Sequence, residues 1–365
     1  MSIIDFGYKS IVKPTLFRFN PETIHEWVMD QLGWARYFKP VMRKLFRRDD
    51  PRLERNIWGY NFKNPIGLAG GFDKNAVCTD IWELLGFSFF EIGTLTPRPQ
   101  PGNPKPRLFR YPEQQALVNR MGFNNDGAEK IAERLVAART KGHKPSAIMG
   151  VSIGKQKVTP ASELDLVIDD YLVSLRQLYD YGDFFVVNVS SPNTPDLRSL
   201  QKREPLSKLL YELKDAMHGL GAGEHPKPLC VKLAPDLSNQ AIIEAVDVAC
   251  ECELDGIIAT NTTNKTGGLE EGGLSGRPLR ERSTEVIRLI AEHTNYTMPI
   301  IGGGGVFSAQ DAIEKLEAGA WILQIYTSFV YEGPMVVGAI LRGLLDDMEN
   351  KQMTSLSQYT PGGNQ

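Results

Sequence analysis

The sequence predicts an α/β protein, a (β/α)₈ barrel preceded by a small helical extension, and three observations carry that expectation. From residue 66 onward, short apolar runs of β-type residues alternate with longer stretches whose apolar positions recur at three and four residues, as in parallel strand–helix units. Eight such units over about 260 residues match the size of a closed barrel. The first fifty residues break the alternation and read as helices alone. A doubly wound sheet built from the same units is the structural alternative. The chain divides accordingly into residues 1–50, a helical hairpin, residues 51–350, the barrel, and residues 351–365, a C-terminal tail.

In the hairpin, the turn at Asn20 and Pro21 precedes Ile24, Trp27, Val28 and Leu32, which share one helix face. Phe38, Val41, Met42, Leu45 and Phe46 repeat at the same spacing, with Lys39, Arg43, Lys44, Arg47 and Arg48 between them. Arg36 to Arg48 contains six basic residues and no acidic one, although the formal net charge of the chain is −3. Such a basic amphipathic helix either packs on the barrel with its charges solvated or holds an anionic lipid headgroup. The eight strands follow as Ile66 to Ala69, Ser88 to Gly93, Ala147 to Ser152, Phe184 to Ser190, Leu229 to Leu233, Gly256 to Asn261, Pro299 to Gly303 and Trp321 to Ile325. Amphipathic helices fall between them, at Ala128 to Arg139, Glu163 to Tyr181, Asn239 to Cys250, Thr284 to Glu292 and Ala309 to Ala318.

Composition narrows the class further. Apolar residues at 42% and charged residues at 23% of 365 exclude disorder, and 34 glycines with 23 prolines without a repeat imply many tight loops. No run reaches the roughly 18 to 20 apolar residues of a membrane span, and the start of the chain lacks the zones of a signal peptide. The four cysteines (Cys78, Cys230, Cys250, Cys252) offer only a C-x-C pair, which reads as reduced structural thiols. The mildly negative charge argues against nucleic acid as a partner.

The reactive face of such a barrel lies at the C-terminal strand ends. There the sequence places Lys74, Thr94, Ser152, Asn188 with Ser191, Lys232, Asn261, glycines 302–305 and Tyr326. None of His25, His143, His218, His225 and His293 lies at a strand end, and no acidic or histidine cluster does, which points away from metal-assisted hydrolysis and from a histidine base. The run IIGGGGV after the seventh strand and QIYTSF after the eighth sit where barrels bind phosphate through backbone N–H groups. Lys74 and Lys232 add positive charge for an anionic ring or carboxylate. NVSSPNTP (188–195), together with NRMGFNN (119–125) and ATNTT (259–263), supplies amides and hydroxyls suited to a ring that both donates and accepts hydrogen bonds.

These motifs in this order resemble the class 2, quinone-linked dihydroorotate dehydrogenases over nearly the whole chain. The resemblance rests on GFDKN (71–75), EIGTLTPRPQPGNPKPRLFR (91–110), NRMGFNN, NVSSPNTPDLR (188–198), VKLAPD (231–236), IATNTT (258–263), GGLSGRPL (272–279) and QIYTSF (324–329). It implies an FMN-containing barrel that oxidises (S)-dihydroorotate to orotate in pyrimidine synthesis and passes the electrons to a membrane quinone. Ser191 would be the general base, with Thr194 and Phe123 shaping its proton path. Lys74, Asn119, Arg120, Met121, Gly122, Phe123, Asn188, Asn193, Asn261 and Thr262 would hold the substrate. Gly70, Gly71, Phe72, Asp73, Lys74, Thr94, Ser152, Asn188, Lys232, Thr260, Gly276, Gly305, Tyr326 and Thr327 would hold FMN, with Lys232 at the pyrimidine edge of the flavin.

The resemblance also gives the N-terminal hairpin a purpose, resting on an anionic membrane surface and guiding quinone, with His25 and Arg110 lining the tunnel. The expected location is peripheral, on the cytoplasmic face of a bacterial inner membrane. Serine as base and the hairpin both separate the chain from the class 1 enzymes. GVSIGKQ departs from the family's G-V-N-x-G-K-N, placing Ser152 and Gln156 where asparagines are usual. Two other readings remain at this level: a phosphosugar aldolase with Lys232 as Schiff-base lysine, and a membrane-docked barrel that has lost its flavin and its catalysis.

Overall fold

The computed structural model describes residues 3–221 and 226–361. His225, residues 1–2 of the hairpin and residues 362–365 of the tail lie outside the described residues. The strands are β1 (Arg55–Ile57), β2 (Tyr60–Phe62), β3 (Ile66–Asp73), β4 (Phe89–Leu95), β5 (Leu108–Tyr111), β6 (Ala116–Asn119), β7 (Ile148–Ile153), β8 (Phe184–Asn188), β9 (Leu229–Leu233), β10 (Gly256–Ala259), β11 (Gly273–Gly276), β12 (Ile300–Gly303) and β13 (Ile322–Ile325). Eight of them close a barrel in the order β3-β4-β7-β8-β9-β10-β12-β13, with β13 returning to β3. Every pairing in it is parallel. The eight expected strands are these eight, and closure of β13 on β3 excludes the doubly wound sheet.

Burial explains the closure. The barrel strands are almost continuously buried, as strands covered by helices outside and side chains inside must be. Phe89 and Phe184 fill the interior near its N-terminal end, and glycine is required opposite them because a Cβ at Gly67 or Gly150 would enter their rings. The antiparallel pair β1–β2 plugs that end, with Phe62 edge-on to Phe89 at 5.4 Å between centroids. The described part of the tail packs there too: Arg55 donates from Nη1 to Thr360 Oγ1 and to the Trp321 carbonyl, both at 3.2 Å.

The extension comprises α1 (Ile3–Gly7), a wide turn at Tyr8–Val12, α2 (Lys13–Leu16), α3 (Pro21–Leu32), a 3₁₀ turn at Gly33–Phe38 and α4 (Lys39–Phe46). Asn20 caps α3 by accepting from the Glu22 and Thr23 N–H groups at 3.0 and 3.2 Å. Outside the barrel follow α5 (Ala128–Thr140), α6 (Leu164–Leu178), α7 (Arg203–Leu220), α8 (Asn239–Glu251), α9 (Arg280–His293), α10 (Ala309–Glu317), α11 (Thr327–Glu332) and α12 (Val336–Asn350). Among the described residues no helix is long and apolar enough to cross a membrane.

The basic run of the hairpin packs on the barrel. Arg36 and Lys39 approach Asp80 at 3.2 and 3.7 Å, and Arg43 and Arg47 reach Glu83 at 3.1 and 2.5 Å. Four of the six charges therefore fasten the hairpin to the loop after β3. The outward surface is instead apolar, with Phe6, Ile11, Val12, Phe19, Trp27, Trp34, Tyr37, Phe38 and Val41 exposed.

A three-stranded antiparallel sheet, β5-β6-β11, lies outside the barrel. Its strands have four residues each, too short to carry the periodicity by which a strand is recognised in sequence.

Candidate active site

The C-terminal strand ends and the β5-β6-β11 sheet enclose a cavity of about 1200 Å³ including its mouth. Its base is charged. Glu91, on β4 and 1% exposed, lies 3.4 Å through either carboxylate oxygen from Lys232 Nζ and accepts from Gln324 Nε2 at 2.8 Å. Glu91 and Gln324 were missed in the sequence; the signal was an acidic residue inside the apolar run FFEIG, which tertiary context turns into a counterion for Lys232.

One wall is a chain of amides. Asn188 Nδ2 donates to Thr94 Oγ1 at 2.7 Å, and Asn261 Nδ2 donates to Asn188 Oδ1 and Ser190 Oγ at 3.3 and 3.0 Å. Asn193 Nδ2 donates to Asn119 Oδ1 at 3.1 Å, and its N–H donates to Ser191 Oγ at 3.3 Å. Asn103 Nδ2, outside this wall, donates to the Asn193 carbonyl at 3.1 Å. The side chains are thus held before any ligand arrives, which reduces the ordering cost of recognition. Ser191 is buried and lines the cavity.

Most residues singled out in the sequence line this cavity: Gly70, Gly71, Lys74, Thr94, Asn119, Met121, Gly122, Phe123, Asn188, Ser191, Asn193, Lys232, Thr260, Asn261, Thr262, Gly276, Gly305, Tyr326 and Thr327. Burial pulls the Lys74 ammonium down to about 8, against the attraction of Glu22. Five lie elsewhere. Asp73 accepts from the Val77 and Cys78 N–H groups at 2.8 and 3.0 Å and from Trp82 Nε1 at 3.1 Å, so it shapes the turn that presents Lys74. Ser152 sits behind Thr94, with their hydroxyl oxygens 3.0 Å apart. Arg120 donates to the Pro106 carbonyl and lies 4.9 Å over the Phe109 ring. Thr194 is buried behind the wall, and its hydroxyl has no partner in the protein. Phe72 faces a second cavity.

That second cavity, about 1280 Å³ with its mouth, runs between the hairpin and the barrel. His25 and Arg110 line it together with Phe72, Ile24, Val28, Leu32 and Phe329. The His25 ring pairs through Nε2 with the Phe72 carbonyl at 3.0 Å; a carbonyl only accepts, so Nε2 carries the hydrogen. Burial first, then Lys74, lowers its pKa to about 3, and the ring is neutral at ordinary pH. Arg110 donates to the carbonyls of Leu16, Phe17 and Phe19 and lies 4.4 Å over the Phe17 ring, tying the corner before α3 to β5. Leu108, Leu117 and Tyr326 line both cavities, so the two meet at one wall.

Comparison with known proteins places this geometry among relatives. The dihydroorotate dehydrogenase family profile matches residues 52–348. A dihydroorotate dehydrogenase (quinone) of Gloeobacter violaceus is 48% identical over 357 residues, covering 96% of this chain and 97% of its own. That of Christiangramia forsetii is 47% identical over 352 residues, covering 93% and 99%. Among solved structures, the Eimeria tenella dihydroorotate dehydrogenase in complex with ferulenol superposes with a TM-score of 0.83 at 34% identity, covering 97% of this chain and 96% of that one.

Proposed function

The chain belongs to the dihydroorotate dehydrogenase family, and on that premise we propose that it oxidises (S)-dihydroorotate to orotate in pyrimidine biosynthesis with a membrane quinone as electron acceptor. The observation that carries this reading is the pair of cavities, one amide-lined and one apolar, sharing the wall of Leu108, Leu117 and Tyr326. A polar ring and an apolar quinone need such separate sites, and electrons need them close together.

FMN fits the residues present. Gly303 lines the cavity, and a Cβ built there finds its nearest neighbour at 3.6 Å, so packing within the protein does not demand glycine and the open backbone suits a ligand lying against it. Gly303, Gly304 and Gly305 with Thr327 would hold the phosphate, and Lys232 above Glu91 would face the flavin pyrimidine edge. When bound, FMN supplies the acceptor for the hydride that leaves C6 of dihydroorotate.

Ser191 takes the proton from C5. A serine hydroxyl must pass on its own proton as it takes this one, and the buried Thr194 with Phe123, which lines the cavity, would shape the path by which that proton leaves for solvent. Asn119, Asn193, Asn261 and Thr262 orient the ring by hydrogen bonds, and protonated Lys74 holds the carboxylate. On the quinone side, neutral His25 and Arg110 provide the polar contacts of an otherwise apolar tunnel.

The exposed aromatic and aliphatic residues of the hairpin rest on the membrane, on the cytoplasmic face of a bacterial inner membrane, while its paired basic residues keep it on the barrel. The aldolase reading loses its support in the match of residues 52–348 to the dihydroorotate dehydrogenase family. An anaerobic visible spectrum tests the proposal: yellow protein that bleaches on adding dihydroorotate, and recovers its colour with quinone, is expected. Colour that persists with dihydroorotate would overturn the substrate.

A further inference from the structure

We propose that Lys315 is the buried cation that balances an anionic phosphate in the glycine loop after β12, acting through Ser283 and the peptide between Gly304 and Gly305. The inference rests on the reading above that a flavin phosphate occupies that loop.

Lys315 lies on α10 and is fully buried. Its Nζ donates to Ser283 Oγ at 2.6 Å, to Thr284 Oγ1 at 3.0 Å and to the Arg280 carbonyl at 3.4 Å. All three acceptors are neutral. The carboxylates that act on it, Asp311 and Glu314, are both engaged by Arg280, through Nε at 3.0 Å and through Nη2. Two carboxylates against two cations leave the cluster net neutral, but the hydrogen bonds of the Lys315 ammonium itself go to neutral oxygens, and its burial is costly and brings it down to about 7. A bound anion would offset that cost, and the hydrogen bonds show where it would sit.

Ser283 Oγ, accepting from Lys315, turns its single hydrogen toward the carbonyls of Gly304, at 3.0 Å, and Arg280, at 2.9 Å. In a trans peptide the carbonyl and the following N–H point in opposite directions. Anchoring the Gly304 carbonyl from behind therefore aims the Gly305 N–H forward, and Gly305 lines the cavity. The lysine charge polarises that hydroxyl and that peptide toward the anion and acts directly through a dry interior, where screening is weak. Lys315 never touches the ligand, so it is a positioning residue.

The sign of the linkage follows. Burial draws the Lys315 ammonium down to about 7; a bound dianion would raise that value, so phosphate binding takes up a proton and weakens as pH rises. The charged groups facing Lys315 are Asp311 and Glu314 on its own helix and Arg280 on α9. Burial also brings Lys74 down to about 8, but the charges acting on it are Glu22, Arg107, Asp73 and Glu26 rather than the groups around Lys315, and it would serve FMN and riboflavin alike.

The experiment compares FMN with riboflavin, the same ring system without the phosphate. Flavin release from the full-length flavoprotein, loaded with either, is followed by recovery of free-flavin fluorescence between pH 7.5 and 9.5, where the phosphate stays dianionic. In the wild type the preference for FMN should fall as pH rises. K315M should lose roughly tenfold or more of its FMN affinity at pH 7.5, hold riboflavin unchanged, and show a pH-independent preference. Equal weakening of both flavins in K315M would make Lys315 merely structural and overturn the proposal. So would a wild-type preference that does not change with pH, which decides the matter even if K315M fails to fold. A wild-type chain that binds neither flavin would overturn the underlying reading of the site instead.

Discussion

Glu22 and Arg107 form the buried link between the quinone-side hairpin and the substrate side of the barrel, and breaking it has a calculable effect. Their side chains are only 5% and 6% exposed, with Arg107 Nη2 2.8 Å from Glu22 Oε1 and Nε 3.1 Å from the same oxygen. Arg107 also donates from Nη1 to the carbonyls of Pro101 and Asn103 at 2.5 and 2.8 Å. Removing one partner of a buried pair costs about 3 to 5 kcal/mol, because the other is left uncompensated. Glu22→Gln keeps one acceptor and the loop carbonyls, so about 3 kcal/mol is expected. At about 2 cal/mol/K per residue, a chain of 365 residues melts about 4 °C lower for that loss. Arg107→Met should melt at least as early and, by releasing the loop whose Asn103 holds the Asn193 carbonyl, should also raise KM for dihydroorotate severalfold. The double variant should recover much of the lost stability, since neither charge is then stranded. Melting within 1 °C of wild type for both single variants, or a double variant whose loss is the sum of the two, would refute the reasoning.

Other consequences can be measured independently. Ser191→Ala should retain the flavin colour but slow its reduction by dihydroorotate by roughly 10² to 10⁴-fold; normal stopped-flow bleaching would remove Ser191 from its role. Among the described residues, Lys44 and Arg48 of the basic run form no ion pair with the barrel. At about 1 kcal/mol per basic residue near an anionic surface, adding anionic lipid to neutral vesicles should improve binding about 30-fold, and a gain nearer 10⁴ in a sedimentation assay would mean that the Asp80 and Glu83 pairs open on the membrane. If protonated Lys74 holds the substrate carboxylate, KM for dihydroorotate should climb above about pH 8 as that proton is lost, and a pH-independent KM up to pH 9.5 would rule this out. His25, lowered to about 3, should leave the quinone KM without an inflection near the ordinary histidine value; an inflection there would show that the ring gains a proton in turnover.

The alternation of apolar strands with amphipathic helices made a parallel α/β fold legible in the sequence alone, because burial on both faces leaves each strand an unbroken apolar run, whereas closure into a barrel rather than a doubly wound sheet rests on the long-range pairing of β13 with β3. The amide and hydroxyl residues of the site were legible for a related reason: they stand at strand ends and in NRMGFNN, NVSSPNTP and ATNTT, where local position already specifies the reactive face. What remained hidden depends on partners far apart in the chain. Glu91 becomes a counterion only when Lys232, 141 positions later, is folded opposite it. The basic run of the hairpin reads equally as a stripe packed on the barrel or as a lipid-binding one, and the pairing of four of its charges with Asp80 and Glu83 is visible only once those residues are brought beneath it. Asp73, Ser152 and Arg120 carry the right motif positions, yet their side chains turn to a helical turn, a neighbouring threonine and a loop carbonyl. Periodicity and strand-end position are local properties of the chain and can be read along it; the pairing of buried charges and the direction of a side chain are set by long-range packing, and only the tertiary structure decides them.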